Sequence, residues 1–111
     1  MIPMDKVQRG LALFIDRELA PSLSGWDKVL VAGGAGLAVA KLPSLIAQYP
    51  IVSALGVYDK ENNLVDIDAL YQAASPYIGA EPLPVKVPML GITVKMGRPE
   101  IDTLYRYIKE A

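Results

Sequence analysis

The sequence has no cysteine and no histidine, and it holds one tryptophan and one phenylalanine among its 111 residues. The lack of cysteine excludes disulfides, thiolate nucleophiles and zinc-finger sites. The lack of histidine removes the commonest general base and metal ligand. With 11 basic and 12 acidic side chains, the chain also lacks the excess of positive charge that is typical of nucleic-acid-binding domains. We therefore expect a protein that is not an enzyme, has no cofactor or metal and does not bind nucleic acid.

Charge is scarce in the middle of the chain, where Lys41 is the only charged residue between Val29 and Tyr58. A membrane-spanning helix needs about 20 predominantly apolar residues. The uncharged run that begins at Val29 ends at Ala40, and prolines follow Lys41 at positions 43 and 50. This pattern favours a buried helix followed by a short second one over a membrane helix. A small membrane-active protein of the holin type remains an alternative interpretation.

The N-terminal half is predicted to be helical. Apolar residues recur at Met4, Val7, Leu11 and Phe14, which is the spacing of an amphipathic helix over about residues 4–19. A second helix is predicted over about residues 25–41. It is rich in glycine and apolar nearly all round, which predicts burial on most of its sides.

The C-terminal half is predicted to contain two β-hairpins, each followed by an amphipathic helix. A polar turn over 59–63 separates two short apolar runs, and Asp66 is a good N-cap for the helix that follows. The second hairpin has alternating strands at 85–89 and 92–96, and the last helix begins near Pro99. Together the two halves predict a single α+β domain over residues 1–111, with β-hairpins and two amphipathic helices after the helical N-terminal half.

Residues 67–71 and 101–105 both read Ile-Asp-x-Leu-Tyr, and each group opens a predicted helix. An aspartate in the first turn stabilises any helix start, so shared helix-start chemistry explains the similarity. Duplication of a hairpin–helix unit is the alternative, although solenoid repeats need at least about three copies.

An apolar run ending at Val31 is followed by Gly33, Gly34 and Gly36, which resembles the first strand and phosphate turn of a dinucleotide-binding fold. Such folds carry an acidic residue about 20 positions further on. Here the first acidic residue after the turn is Asp59. We favour a glycine-mediated contact between helices, and a nucleotide-binding fragment using the Gly33–Gly36 turn is kept as an alternative.

Aromatic residues suggest where the chain makes contacts, because tyrosine and tryptophan are enriched at protein interfaces. Trp26 and Tyr49 flank the glycine-rich helix, and Tyr107 lies off the apolar stripe of the last helix. Arg98, Arg106 and Lys109 give that helix a mildly basic face, which we interpret as solvated. The predicted interaction surface consists of Trp26, Gly33, Gly34, Gly36, Tyr49 and Tyr107.

Several segments along the chain resemble small uncharacterised proteins encoded in prophages of Gram-positive bacteria (Firmicutes). These segments are residues 4–16, 23–30, 54–57, 65–71 and 102–108. The resemblance implies a phage-derived accessory, assembly or virion-associated protein without enzymatic activity, and it carries no functional residue across.

The first ten residues do not have the basic and apolar order of a signal peptide, so we expect a cytoplasmic or virion-associated protein. Its expected partners are copies of itself, in a homo-oligomer, or other phage proteins. A membrane is not expected among them.

Overall fold

The computed structural model describes residues 1–48, 50–79, 81–86 and 93–111. It has the predicted α+β architecture, in which N-terminal helices and two small antiparallel sheets precede a C-terminal helix. The elements are β1 Ile2–Pro3, α1 Met4–Phe14, α2 Gly25–Ala40, α3 Leu42–Ala47, α4 Pro50–Leu55, β2 Tyr58–Asp59, β3 Leu64–Val65, α5 Ile67–Ala74, β4 Leu83–Lys86, β5 Thr93–Met96 and α6 Arg98–Glu110.

The first helix covers the predicted residues but changes its hydrogen bonding part-way. After α1, a π-helical turn runs over Ile15–Leu19, where the Ala20 N–H donates to the Ile15 carbonyl, and a 3₁₀ turn follows over Ala20–Ser22. Pro21 has no N–H, and its ring would clash with the carbonyl four residues earlier in an α-helix. The α-helical hydrogen bonding therefore cannot continue through Pro21, and the helix ends in the π-helical turn and the 3₁₀ turn.

The first core cluster joins the two ends of the chain. Met4 and Val7 of α1, Val65 of β3 and Ile108 of α6 are all buried there. Gly10 lets α1 and α6 approach closely, because a Cβ atom on it would lie 2.4 Å from the Ile108 Cα. The sequence analysis did not single out Gly10, although a glycine on the apolar face of a helix is a known sign of close packing.

The first sheet has β3 in its centre, with β2 and β1 on either side. The predicted hairpin is confirmed by the antiparallel pairing of β2 with β3. The Asp66 carboxylate accepts a hydrogen bond of 3.1 Å from the Ala69 N–H, which confirms the predicted N-cap of α5. Strand β1 was not predicted, because a two-residue strand is too short to show a periodic pattern.

The second hairpin pairs β4 with β5, and Leu83 lies opposite Met96. Its first strand begins at Leu83 rather than at the predicted Val85, and the predicted turn at residues 90–91 lies outside the described residues. Helix α6 begins as expected near Pro99. The Glu100 carboxylate accepts a 3.0 Å hydrogen bond from the Gly97 N–H there and so completes the helix start.

Helix α2 has nearly the predicted extent, but the prediction that it is buried on most sides is wrong for its described side chains. Val31 is buried, whereas Trp26 is 73% exposed and Val29 is 57% exposed. The second core cluster, formed by Val31 and Val94, covers one side of the helix only.

Candidate functional site

The uncovered side of α2 forms one continuous apolar face. Positions 26, 29, 33, 36 and 40 are three or four residues apart, so they share one side of the helix. Trp26, Val29, Gly36 and Ala40 are exposed there, and none of the five residues carries a charge. We call these five residues the α2 outer face. A contiguous patch of exposed apolar side chains marks an interaction site more often than an isolated apolar residue does. This face is therefore the first candidate site.

The opposite side of α2 holds the helix in place. Val31, which is 2% exposed, packs in the same cluster as Val94 of β5. The Gln8 side-chain amide of α1 also donates a 2.9 Å hydrogen bond to the Val39 carbonyl. These contacts fix the rotation of α2 about its axis, and therefore Trp26 and Val29 face away from the core.

The predicted interaction residues lie in different parts of the structure. Trp26, Gly33 and Gly36 lie together on the α2 outer face, whereas Gly34 is half-buried beside it and Tyr49 lies outside the described residues. Tyr107 is not part of this surface, which corrects the prediction.

Tyr107 instead belongs to the contact between α6 and the first helix. Its ring packs edge-on against Phe14 with ring centres 6.3 Å apart. Its hydroxyl donates a 2.8 Å hydrogen bond to the Glu18 carboxylate, which raises the pKa of Tyr107. Tyr107 lies off the apolar stripe of α6, as its position in the sequence indicates. Its side chain is already engaged with Phe14 and Glu18 inside the fold.

The phosphate-turn alternative is wrong in its structural premise. A dinucleotide site needs a strand before the glycines and a helix that begins at them. Here residues 29–31 and Gly33–Gly36 all lie inside the single helix α2. The predicted glycine contact is not made at Gly36 by any described residue either, since a Cβ atom there would have no described atom from outside the backbone of α2 within 4 Å.

The two Ile-Asp-x-Leu-Tyr segments contact each other reciprocally. The Tyr71 hydroxyl donates a 2.5 Å hydrogen bond to Asp102, and the Tyr105 hydroxyl donates one to Asp68. The two tyrosine rings lie 4.7 Å apart, centre to centre. Each motif therefore supplies the donor for the carboxylate of the other, a reciprocal contact that the similarity in sequence had not predicted.

Electrostatic effects at this contact are mutual. The hydrogen bond from Tyr105, helped by Lys109, lowers the pKa of Asp68 below its ordinary 3.8. The same carboxylate raises the pKa of Tyr105 and that of Lys109. Similarly, the Asn62 side chain lowers the pKa of Asp59 in the β2–β3 turn. Each of these shifts has its largest cause in a side-chain hydrogen bond within the fold.

Arg98 links the beginning of α6 to the end of the α5 segment. Its guanidinium donates to the Ser75 hydroxyl at 2.8 Å, to the Ser75 carbonyl at 2.7 Å and to the Ile78 carbonyl at 2.9 Å. The interpretation as a solvated basic face is therefore wrong for Arg98, whereas Lys109 is exposed as expected. Arg98 is partly buried in these contacts, and Lys109 pairs with Asp68 at 3.2 Å.

A groove of about 580 Å³ lies between the π-helical turn, β5 and the beginning of α6. Its volume falls in the range of roughly 300–1,000 Å³ that is usual for binding sites. This groove was not predicted, because its walls come from three distant parts of the chain. The lining residues are Phe14, Glu18, Leu19, Ser22, Leu23, Pro82, Thr93, Val94, Lys95, Met96, Pro99, Glu100 and Thr103.

Within the described part of the chain, no group of three or more acidic side chains is arranged to hold a metal ion. None of the described helices is both long enough and apolar enough to cross a membrane. Comparison of the chain with protein families, with curated proteins and with solved structures finds no match.

Proposed function

We propose that this chain is a non-enzymatic accessory or assembly protein, of the kind that prophages encode, and that it acts through protein–protein contacts of the α2 outer face. The first partner is a second copy of the same chain. The observation that carries the proposal is the 73% exposure of Trp26 on an uncharged face whose opposite side is fixed in the core.

Covering Trp26 supplies a large part of the free energy that such a contact needs. A tryptophan side chain presents about 150–250 Å² of surface, and apolar burial contributes about 25 cal/mol per Å². At 73% exposure, covering Trp26 alone is worth on the order of 3 kcal/mol. Tryptophan is also among the residues enriched at the energetic centres of interfaces.

The order of residues along the face favours a second copy as the partner. The large side chains, Trp26 and Val29, lie toward the N-terminal end of α2, and Gly36 and Ala40 lie toward its C-terminal end. In an antiparallel pair of α2 helices, Trp26 of one protomer lies over the small residues of its partner. Gly33 lies at the centre, as the self-complementary interface of a two-fold dimer requires.

Light scattering of the purified protein from micromolar to millimolar concentration tests this proposal. The mass is expected to rise from 12.0 kDa toward twice that value, and Trp26→Ser is expected to prevent the rise. Tyr77→Ser is the matched control, because Tyr77 is 80% exposed but lies outside α2. A strict monomer at every concentration, or unchanged association of Trp26→Ser, would overturn self-association through this face.

A further inference from the structure

The edge of β5 that faces away from β4 is open along the groove, and we infer that it binds an extended peptide segment of a partner protein as an added β-strand. This site is separate from the α2 outer face, and it takes a different kind of partner. Three observations support it: the register of the hairpin, the course of the groove along β5 and the charges on the groove walls.

The register decides which backbone groups of β5 point outward. Pro84 lies opposite Lys95 in the antiparallel pair. Proline has no N–H to donate, so this pair is one in which the two residues do not exchange hydrogen bonds. Since the two kinds of pair alternate, Val85 and Val94 are hydrogen-bonded to each other. The N–H and C=O groups of Thr93 and Lys95 therefore point away from β4.

The outward groups open onto the groove. All four residues of β5 line it, whereas Leu83, Pro84 and Lys86 of β4 do not, so the groove runs along the free edge. Among the described residues, no backbone hydrogen bond outside the β4–β5 pair reaches Thr93 or Lys95. An unpaired strand edge of this kind is a template for an added strand.

The walls of the groove specify the chemistry of the added segment. The apolar part of the wall consists of Leu19, Leu23 and Met96. Every second side chain of an extended peptide lies on the same face, so apolar residues at alternate positions can pack against this wall. Glu18 and Glu100 are acidic, and Lys95 is the one cation among the described residues that line the groove. Each glutamate uses one carboxylate oxygen inside the fold, for Tyr107 and for the Gly97 N–H respectively. The second oxygen is available to a basic side chain, which favours a segment in which apolar residues alternate with arginine or lysine.

The length of β5 sets the length of the added segment. Four residues of β5 extend over about 13 Å, which is the length of four residues of an added strand. The π-helical turn and the beginning of α6 line the groove together with β5.

A displayed library of random decapeptides, selected against the purified protein, tests the inference. Lys95→Pro removes one outward N–H, and it removes none of the bonds between β4 and β5. Lys86→Pro is the matched control, because it makes the same change on the outer edge of β4. Synthetic copies of the selected peptides are then measured by fluorescence anisotropy, with and without N-methyl groups on alternate amides. Circular dichroism establishes that both variants remain folded.

The expected result is the selection of sequences that alternate apolar and basic residues. Binding of these peptides is expected to weaken at least tenfold in Lys95→Pro and not in Lys86→Pro. Glu18→Gln, which retains an acceptor for Tyr107, is expected to reduce the preference for basic residues.

The inference is overturned if no sequence is enriched over selection on Lys95→Pro, or if N-methylated peptides bind as well as unmodified ones. It is also overturned if the wild-type protein forms a dimer that Lys95→Pro abolishes, since the edge then pairs with a second copy. The peptide-binding outcomes do not depend on Trp26, so their failure leaves the proposal for α2 untouched, and failure of the α2 proposal leaves them untouched. A dimer that Lys95→Pro abolishes would contradict both proposals, because the copies would then associate through β5.

Discussion

Gly10 in α1 lies directly against the backbone of Ile108 in α6, and a Cβ atom placed on Gly10 would be 2.4 Å from the Ile108 Cα. The first and last helices therefore meet backbone to backbone at this point. Because Met4 and Val7 share a buried cluster with Ile108, the same contact closes the first core. The position of α6 also determines the shape of the groove, since the beginning of α6 forms one of its walls.

The first prediction concerns this close contact. Gly10→Ala forces α1 and α6 apart, and overpacking of a well-packed core costs about 1–3 kcal/mol. Gly36→Ala is the control, because it makes the same substitution inside a helix where the new methyl group meets no described atom from outside that helix's own backbone within 4 Å. We expect Gly36→Ala to stabilise the protein by about 0.5–1 kcal/mol, since alanine restricts the unfolded chain more than glycine does. Urea unfolding measures both free energies, and equal changes in the two variants would contradict the packing account.

The elements that sequence patterns predicted correctly are those that local chemistry determines. Asp66 caps α5 because an aspartate before a helix can accept a hydrogen bond from its first turn. The β2–β3 hairpin follows from two apolar runs and a polar turn, in which Asn63 adopts a positive φ of 56°. Trp26 is exposed on α2, and its role as a contact residue stays a prediction.

The features that sequence patterns missed depend on contacts between distant residues. Whether α2 is covered on all sides depends on how many other elements reach it, and that number cannot be obtained from its own periodicity. Arg98 looks like a solvated residue along α6, but it lies beside the Ser75 and Ile78 carbonyls once the two segments meet. The groove was missed for the same reason, because the π-helical turn and β5 are separated by most of the chain.

The second prediction concerns Arg98. Arg98→Lys keeps the positive charge, but a lysine cannot donate to three acceptors in the fixed geometry of a guanidinium. We expect a loss of about 1–2 kcal/mol, because partly buried carbonyls lose charge-assisted hydrogen bonds. Arg106→Lys is the control on the same helix. Arg106 is exposed, so its replacement is expected to change stability by less than about 0.5 kcal/mol. Thermal unfolding compares the two, and an equal effect would mean that Arg98 is not a link between the segments.

The third prediction concerns Asp68 and its donor. Removing the Tyr105 hydroxyl in Tyr105→Phe is expected to raise the pKa of Asp68 toward its ordinary value of 3.8. Tyr71→Phe is the matched control, because Tyr71 bonds to Asp102 instead. NMR titration of the Asp68 carboxyl carbon measures the pKa in each variant. An identical pKa of Asp68 in Tyr105→Phe and Tyr71→Phe would contradict the reciprocal pairing.

The fourth prediction follows from the pH dependence of the same pair. The pKa of Asp68 is lowered in the fold, so its contribution to stability is present above pH 3.8 and is lost as the pH falls through the folded value. The pKa of Tyr105 is raised in the fold, so its contribution is present below pH 10.0 and is lost as the pH rises through the folded value. Asp68→Asn should therefore reduce the loss of stability at both extremes, which urea unfolding at a series of pH values measures. An unchanged pH profile would show that the pair contributes nothing to folding.

The most direct test of the central claim is the fluorescence of Trp26, which is the only tryptophan in the chain and lies on the α2 outer face. Emission and acrylamide quenching are measured over the concentrations used for light scattering. If the face is an interface between copies, the emission shifts to shorter wavelength and quenching falls as the mass rises, because Trp26 leaves water. If the mass rises while the emission and quenching of Trp26 stay constant, the copies associate elsewhere and the claim is wrong.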